Sequence, residues 1–277
     1  MTKAFYHHSR TSCVCFFVFS LILLVFLNKS GAESVMLHSQ PSVPILLYHR
    51  FGPTVTDSMT VTTPVFRSQL RYLREHGYTI LPLRQLVQYY LRQGPPPPAR
   101  SVVIVVDDGH KSVYTDMLPV VREFNIPVTL FIYPSAISNA PYAMTWEQLH
   151  TLKKTGLFEF QSHSYWHPNF KKEKKRLSPG EYEKLVGIQL RKSKEKIQRE
   201  LNVTVDMLAW PFGIYDDQLV SMASKQGYVA GFTIERRHTY NTDSIMTLPR
   251  YLMTDQDSGK GFQAILTGHA SPQRVQY

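Results

Sequence analysis

Short apolar runs alternate with amphipathic segments along most of the chain. The amphipathic segments carry apolar residues at helical spacing, as Phe66, Leu70 and Leu73 do, and several end at a glycine. We predict strands at residues 43–48, 78–81, 102–106, 128–132, 158–161, 207–210 and 230–234. We predict helices at residues 66–76, 83–91, 114–124, 145–155, 179–201 and 217–226.

The repeated strand–helix order predicts a parallel α/β fold, either a barrel or an open doubly wound sheet. Residues 102–106 are β-branched throughout, as expected of a strand buried on both faces. No glycine-rich phosphate loop follows any predicted strand, which weighs against a nucleotide-binding sheet. We therefore expect a barrel, in which the chemistry lies at the C-terminal ends of the strands.

The first residues of the chain are typical of a secretory signal. Lys3 and Arg10 precede an apolar run at residues 13–27, and small residues follow at 30–32. The run is shorter than the ~20 residues that cross a bilayer comfortably. We predict a signal peptide at residues 1–32, with an uncleaved membrane anchor as the alternative. Both place the remaining chain outside the cytoplasm, in the periplasm, at the cell surface or secreted.

The cysteines limit the kind of metal site that the chain can build. Cys13 and Cys15 are the only two, and both lie in the predicted signal. A mature chain that starts near Glu33 would have no thiol. Any metal must then be held by histidine, aspartate or glutamate.

The net charge of +10 is concentrated in one stretch, residues 171–199. A solvated helix face is the favoured interpretation, and binding to anionic lipid or an acidic polymer is the alternative. The stretch lacks the interleaved aromatic residues that single-strand binding requires, so we predict no nucleic-acid partner. Membrane contact is expected only through the N-terminal segment, and we expect a monomer.

Asp107, Asp108 and Gly109 directly follow the most apolar predicted strand. Two adjacent carboxylates at a strand end are costly unless a cation compensates them. A simple Asp-Gly turn, with Asp107 capping the next helix, is the alternative interpretation.

Two histidines follow a second predicted strand, the one at residues 158–161. His163 and His167 are four residues apart and can converge on one metal where the backbone turns tightly, although Pro168 argues against a long helix. Such a pair is a weak signal by itself, but it shares the strand-end position of the aspartates. One aspartate and two histidines with an open position are typical of a hydrolytic metal site.

A third strand end carries residues 209–213 (AWPFG). Pro211 and Gly213 flank an aromatic residue, which predicts a rigid turn with an outward-facing backbone N–H. From local sequence alone, a purely structural turn is equally compatible with this pattern.

Together these residues resemble the polysaccharide deacetylase (NodB-homology) family, carbohydrate esterase family four. Residues 105–109 (VVDDG) resemble its aspartate-pair motif, 163–167 (HSYWH) its His-Ser-x-x-His motif, and 209–213 its Arg-x-Pro-x-Gly motif, except that Ala209 stands in place of the arginine. The similarity extends over residues 43–252. It implies a distorted (β/α) barrel, a catalytic domain at residues 33–265 and a C-terminal tail at 266–277.

The resemblance also implies residue roles. Asp107 corresponds to the general base, and Asp108, His163 and His167 to the ligands of one divalent ion, expected to be Zn²⁺ with Co²⁺ or Ni²⁺ as alternatives. The backbone N–H of Phe212 corresponds to the oxyanion donor. The family's motif arginine tethers the base, so Ala209 leaves that tether unaccounted for.

The branch without this arginine resembles the poly-β-1,6-N-acetylglucosamine N-deacetylases of biofilm formation. Residues 44–49 (PILLYH) and 145–149 (TWEQL) are similar to segments of that branch, in which a histidine at the position of His49 is the proposed acid. His269 is a weaker candidate, because it lies in the expected tail.

The expected substrate is therefore an N-acetylglucosamine polysaccharide. Trp166, Trp210 and Tyr215 are candidates for stacking on sugar rings, with ordinary packing as the alternative for each. Deacetylation of peptidoglycan, chitin oligomers or acetylated xylan remains an alternative function, as does a catalytically silent carbohydrate-binding protein.

Overall fold

The computed structural model describes residues 1–4 and 41–270. Its two compact units are Met1–Gln40 and Pro41–Tyr277. In the first unit only residues 1–4 are described, and they are exposed and without regular secondary structure. The predicted signal at residues 1–32 and the end of the predicted tail lie largely outside the described residues. No helix in the described parts is long and apolar enough to cross a membrane.

Parallel strands form the centre of the second unit. Its strands are β1 (Ile45–Tyr48), β2 (Arg50–Gly52), β3 (Thr60–Thr62), β4 (Thr79–Leu81), β5 (Ser101–Asp108), β6 (Val128–Ile132), β7 (Phe158–Ser162), β8 (Met207–Ala209), β9 (Ala230–Phe232) and β10 (Tyr251–Leu252). The main sheet has the order β10-β1-β5-β6-β7-β8-β9, and β4 pairs with the first half of β5. β2 and β3 form a separate parallel pair. The sheet curls into a distorted (β/α) barrel, which confirms the predicted fold.

One short segment links the two ends of the curled sheet. Leu248 forms a parallel bridge with Phe232 of β9, and Tyr251 pairs with Leu46 of β1. Arg250 lies between these two points of attachment. The barrel therefore closes through residues 248–252.

The helices lie around this sheet. They are α1 (Thr63–Glu75), α2 (Leu83–Tyr90), α3 (Leu118–Phe124), α4 (Trp146–Lys154), α5 (Phe170–Arg176), α6 (Pro179–Leu201), α7 (Asp217–Lys225) and α8 (Gly259–Leu266). A π-helical turn, Val113–Met117, leads into α3. α4 begins with a capping box, in which Thr145 accepts from the Gln148 N–H and Gln148 accepts from the Thr145 N–H.

The sequence-based predictions located most elements to within a few residues. The structure adds β2, β3, β10, α5 and α8 to the predicted set. The basic stretch at 171–199 is divided between α5 and α6, with a break near Leu177. These added elements are short, so their sequences carry little periodic signal.

The two-residue period of the strands separates two apolar clusters. Even-numbered residues of β5, such as Ile104, pack with the surrounding helices, whereas Val103 and Val105 belong to a second cluster with Ile45 and Leu47 of β1. Apart from α2, the second cluster comes from the strands and the segments beside them, so it fills the interior of the curled sheet. Any residue that continues these odd-numbered series should also face inward.

Candidate active site

The side chains that the sequence singled out continue the inward-facing series at the strand ends. Asp107 follows Val103 and Val105 along β5, and His49 follows Ile45 and Leu47 just beyond β1. They meet in a pocket of about 140 Å³. Its lining consists of His49, Arg50, Met59, Asp107, Asp108, His163, His167, Trp210, Phe212, Gly213 and Ile234.

Asp108, His163 and His167 form a set that could hold a metal ion. Each offers one ligand atom, and these atoms all lie within 4.8 Å of one another. The Nε2 atoms of His163 and His167 lie 3.7 and 3.9 Å from Oδ1 of Asp108. Nδ1 of His163 is 2.8 Å from the Ala209 carbonyl oxygen, so Nδ1–H donates and the lone pair of Nε2 faces the pocket.

The protonation states of these residues suit metal binding. Burial lowers the pKa of His163 to about 3 and also lowers the pKa of His167, so both imidazoles are neutral at ordinary pH. Burial raises the pKa of Asp108, the direction expected of a carboxylate enclosed with too little positive charge. Two neutral imidazoles and one enclosed carboxylate fit a divalent ion such as Zn²⁺.

Asp107 is held by Arg250, a residue that was not predicted from the sequence. Nη1 and Nη2 of Arg250 donate to Oδ1 and Oδ2 of Asp107 at 2.8 and 2.9 Å, and Nε donates to the Thr233 carbonyl at 2.8 Å. Both side chains are almost fully buried. Arg250 thus supplies the tether that Ala209 left unaccounted for. The sequence contains one signal for this role. Arg250 lies two residues from both Leu248 and Leu252, so the two-residue period of a strand places it on the same inward-facing side.

The charge on Asp107 is secured by its neighbours. Burial by itself would raise the pKa of Asp107, but the charge of Arg250 and its hydrogen bonds to the carboxylate bring the pKa down to about 2. Asp107 is therefore a carboxylate at any ordinary pH. Its Oδ2 lies 3.6 Å from Nε2 of His163, so it adjoins the metal-ligand set without belonging to it.

His49 lies in the same pocket and is buried, with 8% of its surface exposed. Within residues 41–270 its Nδ1 has no hydrogen-bond partner. Burial lowers the pKa of His49, while Asp108 and Asp107 act in the opposite direction. The net shift is downward, because burial outweighs the two carboxylates.

Several residues at the site adopt left-handed backbone conformations that are uncommon outside glycine. Asp108, Ser164, His167 and Phe212 have φ values of 74°, 61°, 62° and 57°. Such conformations cost energy and persist where surrounding structure holds them, often at functional sites. Here they turn the chain at the ends of β5, β7 and β8, next to residues that line the pocket.

The three aromatic candidates differ in their exposure. Trp166 and Tyr215 are 51% and 40% exposed. Trp210 is fully buried, and its indole N–H donates to the Met246 carbonyl at 2.8 Å. Trp210 therefore supports the pocket wall and presents no free face to a sugar, contrary to the prediction. His269 follows α8, is exposed and is not part of the pocket lining.

Comparison with known families agrees with this geometry. Residues 94–231 match the family model described as polysaccharide deacetylase. The chain carries a polysaccharide deacetylase domain. This confirms the family expected from the three motifs, and the enzyme class with it.

Similar proteins include the poly-β-1,6-N-acetyl-D-glucosamine N-deacetylases of two staphylococci. The Staphylococcus aureus enzyme is 26% identical over 200 residues, covering 71% of this chain and 68% of the relative. The Staphylococcus epidermidis enzyme is 26% identical over 208 residues, covering 74% and 71%. This deacetylase is thus related to enzymes of that name across most of the chain.

Solved structures of deacetylases share the fold. The Streptococcus pyogenes deacetylase PplD, in complex with acetate, superposes with a TM-score of 0.74 at 19% identity, covering 82% of this chain and 99% of that chain. IcaB from Ammonifex degensii gives a TM-score of 0.70 at 23% identity, covering 84% and 98%. Both matches support the distorted barrel.

Proposed function

We propose that this deacetylase removes N-acetyl groups from an N-acetylglucosamine polymer, poly-β-1,6-N-acetylglucosamine of an exopolysaccharide matrix in particular, and that it requires a divalent metal. The observation that carries the proposal is the arrangement of Asp108, His163 and His167 beside an ionised Asp107. The names of the relatives at 26% identity support the proposed substrate.

The metal is proposed to bind Asp108 Oδ1 and the Nε2 atoms of His163 and His167. A Zn²⁺, Co²⁺ or Ni²⁺ ion there would act as a Lewis acid that polarises the acetamide carbonyl and acidifies a water molecule. The Ala209 carbonyl fixes the ring orientation of His163, and without it the ring could rotate about χ2.

Asp107 is proposed to be the general base. Its carboxylate takes a proton from the attacking water while Arg250 holds both of its oxygens in place. The two-pronged contact allows little rotation of the carboxylate, which keeps the accepting lone pair directed into the pocket.

Phe212 and His49 complete the proposed machinery. The backbone N–H of Phe212, in the pocket wall, is proposed to donate to the oxyanion. His49 is proposed to protonate the departing sugar amine, since an amide nitrogen leaves poorly without a proton. Its position in the pocket supports this role, and His269, outside the pocket, is not proposed.

Acetate release from purified protein tests the proposal. We expect release from poly-β-1,6-N-acetylglucosamine, loss of release after exhaustive chelation, and recovery on adding Zn²⁺, Co²⁺ or Ni²⁺. Preference for peptidoglycan, chitin oligomers or acetylated xylan in the same assay would replace the proposed substrate. Binding of these polymers without any acetate release would indicate a silent carbohydrate-binding relative.

The site of action is proposed to be outside the cytoplasm. The support is the predicted secretory signal at residues 1–32 and the relationship to enzymes that act on a polysaccharide.

A further inference from the structure

A second depression adjoins the catalytic pocket. Gly213 lines the pocket, and the next two residues, Ile214 and Tyr215, line a cleft of about 360 Å³ that faces α5 and the start of α6. We call it the lysine cleft, because Lys171, Lys174 and Lys175 line it together with Tyr182, Tyr215 and Asp216. The shared 213–215 wall places it next to the site of chemistry.

The lysine cleft has an excess of positive charge. Lys174 is 2.7 Å from Asp216, which is the one carboxylate in the lining, and its ammonium lies 5.6 Å from the ring centroid of Tyr182. Among residues 41–270, no carboxylate lies within ion-pair distance of Lys171 or Lys175. Lys171 and Lys175 therefore contribute two positive charges to the lining of the cleft that no carboxylate at this distance neutralises.

The inner wall of the cleft contains an unused polar group. Tyr182 is buried, and its hydroxyl has no hydrogen-bond partner among the described residues. A buried hydroxyl without a partner destabilises the folded protein, so its presence in a cleft wall points to a ligand. Opposite it, Tyr215 is half exposed and offers an aromatic face.

Building on the proposed function, we propose that the lysine cleft binds the neighbouring sugar of the polymer while that sugar is still N-acetylated. The Tyr182 hydroxyl donates to the acetamide oxygen of this sugar, and the ring packs on Tyr215. A glucosamine in the same place carries an ammonium group and is repelled by Lys171 and Lys175. The enzyme thereby avoids units next to one already deacetylated, and free amines are spaced along the product.

Rates on two defined oligosaccharides test whether a neighbouring glucosamine is disfavoured. One is a fully N-acetylated β-1,6-linked pentamer, and the other carries a single glucosamine. For acetate release we expect kcat/KM to favour the first by roughly threefold to tenfold, the size of effect expected of a few partly screened charges. Lys171→Gln/Lys175→Gln should bring the ratio near one, and high salt should reduce it in the wild type.

A matched control removes the same charge elsewhere. Lys225→Gln/Lys260→Gln changes two lysines that line neither depression, and it should retain the wild-type ratio. An unchanged ratio in Lys171→Gln/Lys175→Gln, or an equal loss in the control, overturns the proposal.

Tyr182→Phe tests the hydroxyl separately. Because it removes a buried group that has no partner, the variant should unfold at the same temperature as the wild type or higher, while its KM for the acetylated pentamer rises. An unchanged KM overturns the role of the hydroxyl.

The proposed function can fail independently. If the wild type releases no acetate from either pentamer, that function is wrong, and binding of both pentamers can then be measured directly on the wild type. Equal affinity for the two, or binding of neither, overturns the cleft inference as well.

Discussion

Arg250 controls both the position and the charge of Asp107, so its loss should affect stability and catalysis together. Arg250→Met leaves a buried carboxylate without its cation, a change that costs about 3–5 kcal/mol. The pKa of Asp107 should rise, because burial already acts in that direction. The acid limb of kcat/KM should move to higher pH, as pH–rate profiles would show.

Arg250→Lys is the matched control. It retains the charge but not the two parallel hydrogen bonds, so it should keep more stability than Arg250→Met while kcat falls. In the wild type the folded pKa of Asp107, about 2, is below the ordinary value of 3.8. The ion pair therefore contributes stability that is complete above pH ~4 and is lost as the pH falls towards 2. Wild-type stability and pH profile in Arg250→Met would contradict the assigned role.

The two neighbouring aspartates should separate by function. Asp108→Asn should weaken metal binding, measured by elemental analysis of the purified protein, because Asp108 supplies a ligand atom. Asp107→Asn should retain the metal and lose turnover by roughly 10²–10⁴-fold, the usual effect of removing a general base. Normal metal content and turnover in both variants would mean that the two aspartates only form a turn.

His49 should act on the leaving amine and not on the metal. His49→Ala should keep the metal, lose most amide hydrolysis, and hydrolyse an activated acetate ester far better, since that leaving group needs no proton. Only the protonated form of His49 can donate to the amine. Turnover should therefore fall as the pH rises through the pKa of His49, which burial lowers. Removing residues 267–277 should have little effect. If this truncation abolishes activity while His49→Ala is harmless, the acid is His269.

At the scale of secondary structure elements, the turn after β8 sets the wall shared by the pocket and the lysine cleft. Gly213 has a φ of +65°, and an added Cβ would lie 2.4 Å from Cγ1 of Ile234. Gly156, which follows α4, has a φ of +72° with nothing within 4 Å of such a Cβ. Both glycines therefore adopt a left-handed backbone conformation, but a Cβ would have room at Gly156 and would collide with Ile234 at Gly213.

This difference gives a matched pair of variants. Gly156→Ala should cost about 1–2 kcal/mol, the penalty for an alanine in the left-handed region, and leave turnover unchanged. Gly213→Ala should cost more and also reduce kcat, because the turn or Ile234 must move. Thermal unfolding and acetate release measure the two effects. Equal behaviour of the variants would mean that the Ile234 contact is unimportant.

At the scale of the whole molecule, the remaining prediction concerns export. Fusing residues 1–35 to a reporter should carry the reporter out of the cytoplasm, and the secreted deacetylase should begin near Glu33. Amino-terminal sequencing of the cell fractions measures this. A membrane-bound product that still begins at Met1 would identify the segment as an anchor. A reporter retained in the cytoplasm would exclude both the signal peptide and the membrane anchor.

The sequence by itself determined the strand–helix order and the residues that carry the chemistry. Apolar runs such as residues 102–106 predict buried strands because burial on both faces leaves no polar alternation. Asp107, Asp108, His163 and His167 were identifiable because each follows such a strand or its end. Parallel strands bring their carboxyl ends together, so local pattern was enough to predict a common site.

Only the tertiary structure decided what surrounds these residues. Arg250 and Asp107 are 143 positions apart in the chain, and no local pattern connects them until residues 248–252 close the barrel. Trp210 and Trp166 look alike in sequence, yet one is buried and the other half exposed. The net pKa direction of His49 likewise depends on how deeply the folded chain buries it. Burial, charge pairing and cleft shape depend on contacts between segments that are far apart in the chain. The signals for strands and turns, in contrast, are local in the sequence.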